Sequence, residues 1–253
     1  MLDLQKASLW KRISAALFDF ILLCILVVGI VAGFSSALNY DGYVKQVDEA
    51  YEYYGEQYGV DLRMSEEEYN KLSDAEKENF MAANKAINAD KEAVRAYKMS
   101  QNLPLLSITF GVLFGILIMQ VLVPLMFGNG QSLGKKIFGI ALMRIDGVRL
   151  TPLQLFVRSV LGKFAVELMI PIFIFINLYW FGSISIVGIA VVLLLLISQV
   201  ICLAVTRTGS LLHDVMAGTV VVDLASQMIF ETKEEQLEYI KKLHAQAAAE
   251  AAY

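Results

Sequence analysis

The sequence predicts an all-α membrane protein: a four-helix transmembrane bundle with a largely helical extracytoplasmic insertion between helices 1 and 2. Three observations carry this reading. Apolar runs long enough to cross a bilayer recur along the chain. Basic residues gather beside the runs on one side of the expected bilayer. Polar residues collect in the segment 41–102 and in the tail from Glu231. Of 253 residues, 57% are hydrophobic. Mean hydropathy is +0.57, and a soluble domain has an apolar fraction nearer about 45–50%. A net charge of −4 argues against a nucleic-acid partner.

The first span is expected over 13–36, within a first segment 1–38. Lys6, Lys11 and Arg12 precede it, and after Asp19 no charge appears until Asp41. The run exceeds the about 7–15 apolar residues of a signal peptide, so a retained helix is expected. An insertion follows over 39–102. It is rich in acidic residues and carries tyrosines at 40, 43, 51, 53, 54 and 58. Ser65 with Glu68, and Ser73 with Glu76, have the spacing of helix capping boxes. The stretch 73–99 has few helix breakers, so solvated helices are expected there.

A membrane core is expected over 103–223. The second span, 103–127, carries Gly111 and Gly115, a spacing that permits close helix contact in lipid. The segment 128–152 is glycine- and lysine-rich, but it is not a phosphate loop. Asn129 stands where that loop needs glycine, and Lys136 where it needs Ser or Thr. Residues 137–144, followed by Asp146-Gly147, read as a short hairpin or an amphipathic segment at the interface. From 168 to 206 no charge occurs. One straight helix of that length would be about 60 Å, twice the hydrocarbon thickness. A turn is therefore expected at 177–183, giving a third span over 157–178 and a fourth over 184–206. Pro171 is positioned to kink the third. The apolar run after Asp214 is too short to span and reads as interfacial. The tail, 224–253, has helical composition. Cys24 and Cys202 both fall in apolar runs and read as small apolar fillers. Lys6, Lys11, Arg12, Lys135, Lys136, Arg144, Arg149 and Arg207 all fall on one side of such a bundle. That bias predicts both termini in the cytoplasm and the insertion outside.

Charge inside the spans points to the functional candidates. Asp19 is the sharpest, because a carboxylate in a span is costly and faces protein or water. Arg12 lies on the same helix face, at about 10 Å by helical rise. Arg158, Lys163 and Glu167 form a second charged set on the third span. Lys163 and Glu167 have i,i+4 spacing and could pair, while Arg158 falls to one side. Arg207, His213 and Asp214 reach the same inferred depth. One polar layer built from several helices has two readings. It fastens the bundle, each polar contact contributing about a kcal/mol, or it lines a path for an ion or a proton. With His213 and His244 the only histidines, no zinc signature exists. No catalytic triad spacing stands out either. No enzyme activity, metal site or cofactor is expected.

Three blocks in order resemble the RDD family of small bacterial membrane proteins, named for one arginine and two aspartates. KRISAALFD, 11–19, resembles the opening block, with Arg12 as the arginine and Asp19 as the first aspartate. GQSLGKKIFGIALMRIDG, 130–147, resembles the second block. LLHDVMAGTVVV, 211–222, resembles the closing block, with Asp214 as the second aspartate and Asp146 as the other acidic candidate. The resemblance covers 1–36 and 103–223, and the acidic insertion departs from it. It implies a multi-pass protein of the bacterial cell membrane. It also implies transport, with Na+ and H+ as candidate ions and exchange as the mode. The alternative is a non-catalytic scaffold or accessory subunit. Its partners would be the lipid bilayer, a second copy of the chain, or another envelope protein bound through the insertion.

Overall fold

The computed structural model describes residues 5–127, 130–183 and 186–251. Asn129, which argues against a phosphate loop, and the expected fourth-span start at Ile184 lie outside the described residues. The chain divides into two compact units, Val27–Val112, and Met1–Leu26 with Leu113–Tyr253.

Helix α1, Leu9–Ala37, runs through both units. Its start is fixed by Ser8 Oγ, which accepts from the Lys11 amide at 3.3 Å. In the first unit α2 (Tyr40–Tyr58), α3 (Glu66–Lys71) and α4 (Asp74–Ala89) follow. Both expected capping boxes form. Ser65 and Ser73 accept from the amides of Glu68 and Glu76, whose carboxylates reach back to the serine amides at 2.8 Å. Asp90 then caps the next helix by accepting from the Glu92 amide at 2.8 Å. That helix, α5 (Lys91–Met126), begins in polar sequence and continues without a break into the second apolar run. Gly111 lies against α1: an added Cβ would sit 2.5 Å from Val31 Cγ2. Phe34 and Phe110 pack beside this crossing, ring centroids 5.4 Å apart.

Toward its end α5 widens to π geometry over Ile118–Leu122, just before Pro124. Pro124 brings no amide donor, so the ordinary i→i−4 ladder cannot continue there. In the second unit α6 (Leu133–Ile137) follows, capped by Ser132, and then β1 (Ile140–Arg144). Helix α7 (Pro152–Phe181) opens on a Thr151/Gln154 capping box with Pro152 in its first turn. It has π geometry over Val157–Met169 and returns to α geometry over Ile170–Phe181. Pro171 sits at that return, where a missing donor costs least. Gly182, at φ 66°, ends the helix, inside the stretch where a turn is expected. Helix α8 is Ile186–Val205. Helix α9 (Leu212–Ala217) ends at Gly218 and feeds β2 (Thr219–Asp223). Helix α10 (Lys233–Ala251) closes the described chain.

The expectation of a purely helical fold needs one correction. β1 and β2 pair antiparallel, with Ile140 opposite Asp223 and Arg144 opposite Thr219. The segment 137–144 therefore holds a strand, Ile140–Arg144, that pairs with a distant strand and not in a local hairpin. Both faces of this ribbon are covered. Ala7, Ala15, Leu142, Leu150 and Val221 pack on one side, and Ala141, Met143, Val220 and Val222 on the other. β-branched residues buried on both faces favour a strand over an interfacial helix. The ribbon also ties down the N-terminus, since the Ala7 amide donates to the Val221 carbonyl at 3.0 Å.

α1, α5, α7 and α8 are each long and apolar enough to cross a membrane. Their surfaces are apolar: Phe173 is 68% exposed, Ile186 85% and Val205 77%. Such surfaces suit lipid and would drive aggregation in water.

Candidate functional site

Asp214 is the hub of the second unit's polar interior. It stands on α9, 1% exposed, where the Leu211–Gly218 turn aims it at α7 and α1. Its Oδ1 accepts from Arg158 Nε at 2.7 Å and from Thr219 Oγ1 at 3.1 Å. Arg12 Nη2 lies 4.0 Å from Oδ2, while Arg12 Nη1 donates to the Gly209 carbonyl at 2.6 Å. Oδ2 is buried and accepts no hydrogen bond among the described residues. Burial alone would raise this carboxyl, but Arg158 foremost, with Lys135, holds it well below the usual carboxylate range.

His213, the preceding residue, is clasped by α7. Glu167 Oε1 accepts from the His213 amide at 2.9 Å, and Glu167 Oε2 lies 2.7 Å from Nδ1. Gln199 on α8 stands near Glu167, and its Oε1 accepts from the Leu212 amide at 3.1 Å. Burial, then the nearby Arg158, pulls His213 down to about 4, so the ring is neutral at pH 7. A neutral ring carries one N–H. With Nδ1–H given to Glu167, Nε2 is left as an acceptor. It faces Asp214 Oδ2 at 3.6 Å. Two acceptors thus stand opposite each other in a buried place.

The π geometry of α7 makes this arrangement possible. Arg158 and Glu167 are nine positions apart. At about 100° per residue, an α-helix would put them on opposite faces. At about 4.4 residues per turn, a π-helix brings them within about 20° of one line. Both then face α9, and Gly162 lies between them. A Cβ on Gly162 would come 2.8 Å from His213 Cβ, so glycine permits the close approach.

Asp19, 7% exposed, has another partner. Its Oδ1 accepts from the Gly134 amide at 2.8 Å in the first turn of α6. Gly134 packs so tightly on α1 that a Cβ would collide with the Ala15 carbonyl. Arg12 and Asp19 share a helix face as expected, but each bonds elsewhere. The expected Lys163–Glu167 pair does not form, because α geometry is absent there and His213 occupies both Glu167 oxygens. Lys163 lies within electrostatic reach of Asp19, Glu167, Asp214 and Arg158. Arg207 stays outside this network among the described residues; its carbonyl accepts from Lys6 Nζ at 3.5 Å. Asp146 pairs with Arg144 at 2.8 Å, so the aspartate that meets Arg12 is Asp214.

The structure thus joins Arg12, Arg158, Glu167, His213 and Asp214 in one contact network. Asp19 and Lys163 stand beside it. Sequence reasoning missed Gln199, Thr219, Gly134 and Gly162. A glutamine inside the uncharged run of α8 was the one signal available for the first of these. Lys135 was read only as a flanking charge. Burial, with Arg158 and Lys163 nearby, pushes its ammonium well below the ordinary lysine range.

No curated protein and no solved structure matches the chain. The RDD family's sequence profile matches residues 6–218, a range that contains Arg12, Asp19, Arg158, Glu167, His213 and Asp214. On that match, with its four membrane-length apolar helices, the chain is a membrane protein of the RDD family.

Proposed function

We propose that the protein exchanges a small cation for protons, and that both compete for the acceptor pair His213 Nε2 and Asp214 Oδ2. The observation that carries this is the buried Asp214 Oδ2, without a hydrogen-bond partner among the described residues and 3.6 Å from His213 Nε2; in the neutral Nδ1–H tautomer that nitrogen is an acceptor. A proton or a cation placed there satisfies both acceptors at once. Arg12, at 4.0 Å, already balances Oδ2 loosely. An arriving cation would shift that guanidinium toward the Gly209 carbonyl it already contacts. Glu167 is the positioning residue, because its bond to Nδ1 fixes the tautomer that leaves Nε2 open. Two protein ligands are too few to retain a resident metal, which suits an ion that must leave again. In this reading both termini face the cytoplasm, the cluster lies at the cytoplasmic end of the spans, and the insertion lies outside.

The scaffold reading has its own support. The Arg158–Asp214 pair is short and buried on both sides, as a permanent fastening would be. The insertion offers a cleft of about 410 Å³ between α2, α4 and α5, lined by Tyr51, Asn84, Asn88 and Tyr97, where an envelope partner could dock.

Cation binding to the purified protein separates the two. Na+, Li+ or K+ should raise the unfolding temperature of wild type at pH 7. An ion at about 100 times its Kd contributes about 2.7 kcal/mol. Asp214→Asn and His213→Gln should abolish the effect while remaining folded. If no alkali cation stabilises wild type, the exchange reading fails. Loss of the fold in Asp214→Asn with no cation effect in wild type would favour the scaffold.

A further inference from the structure

The cluster carries more positive than negative side chains. Arg12, Arg158, Lys135 and Lys163 stand among Asp19, Glu167 and Asp214, with His213 neutral. The arginines have partners: Arg158 has Asp214, and Arg12 has Gly209 and Asp214. Among the described residues, Lys135 and Lys163 have no carboxylate within 4.0 Å. Asp19 is in electrostatic reach of both, but its Oδ1 is spent on the Gly134 amide.

Their depth is that of a lipid headgroup. Helical rise places Asp19 about 27 Å from the far end of α1 at Ala37. Lys163 stands a similar distance from the far end of α7 at Phe181. A hydrocarbon slab of about 30 Å that starts at those far ends therefore stops close to this pair. Trp10, 78% exposed at the start of α1, is the side chain type that settles at that boundary. Ile137, two positions after Lys135, is 62% exposed, and Leu161, two positions before Lys163, is 44% exposed. Acyl chains could lie on these residues while a headgroup reaches the ammonium groups.

We propose that Lys135 and Lys163 bind a phosphate oxyanion carried by the headgroup of an anionic phospholipid. The lipid supplies the negative charge that the protein leaves out. The site shares the electrostatic surroundings of the His213–Asp214 acceptors but uses neither of them as a ligand, and it does not depend on ion exchange. The depressed ammonium of Lys135 is what a cation shows before its counter-ion arrives.

Native mass spectrometry of the full chain, titrated with phosphatidylglycerol or phosphatidylcholine, tests this. Wild type should prefer phosphatidylglycerol. Lys135→Gln and Lys163→Gln should each weaken that preference about fivefold, and the double variant should lose it. Lys→Arg at both positions should restore it, which separates charge from folding. Lys136→Gln should change little, since Lys136 lies over the Phe127 ring at 4.6 Å. Failure of inorganic phosphate to displace the lipid supports a lipid-borne phosphate. Displacement, with the same dependence on the two lysines, overturns the lipid source in favour of a soluble oxyanion. Equal binding of both lipids by wild type, or a preference unchanged in the double variant, overturns the site.

Discussion

A buried carboxylate with a single close guanidinium is an asymmetric arrangement. Removing the whole pair removes its desolvation cost along with its attraction, whereas removing one partner strands the other. Arg158→Met should therefore cost about 3–5 kcal/mol in thermal unfolding, and Arg158→Met with Asp214→Leu should recover most of it. Equal losses in the single and double variants would contradict this. The imidazole beside the pair responds to pH with a definite sign. His213 is held at about 4 in the folded protein, below its ordinary value of about 6.5. The unfolded chain takes up the proton first as pH falls. The stability is complete above about pH 6.5 and drains away down to about pH 4. The loss amounts to about 3 kcal/mol. His213→Gln should flatten that part of the stability curve. Asp19 and Asp214 were both legible as residues, because charge in an apolar run is costly wherever it falls. Their partners were not, because the Gly134 amide and the Arg158 side chain come from elements far away in the chain.

The helix starts at Ser65 and Ser73 were readable because each serine acts on a residue three positions on; Asp90 and Thr151 cap in the same local way and went unread. The π segment of α7 was not readable. Reasoning at 3.6 residues per turn sent Arg158 to one side and paired Lys163 with Glu167, and both placements follow from the wrong period. The ribbon was missed for a related reason. Ile140–Arg144 and Thr219–Asp223 are short strands buried on both faces, so neither shows the alternation that marks a half-exposed strand. The α1–α6 contact gives a direct test at this scale. Gly134→Ala drives a methyl into the Ala15 backbone, which cannot yield as a side chain tip would, and should cost about 1–3 kcal/mol. Asp19→Asn keeps an oxygen acceptor for the Gly134 amide and should remain folded. Asp19→Leu strands that amide and should lose about 1–3 kcal/mol in the same assay.

For the whole molecule, the four apolar runs were legible from length alone, and the family from three short blocks. The units were not, since their borders fall within α1 and α5 and leave no linker to read. Sidedness is open to labelling with an impermeant thiol reagent, in a protein whose Cys24 and Cys202 have been replaced. A single cysteine at Ser73 should react in whole cells, and one at Ser226 should react only after lysis; the reverse pattern would invert the orientation. The exchange account itself is tested most directly by cation-driven proton movement in proteoliposomes. Wild type should move protons against an imposed gradient of at least one alkali cation. Asp214→Asn, inserted and folded, should not. No flux in wild type with any alkali cation across the pH range, or full flux in Asp214→Asn, would contradict it.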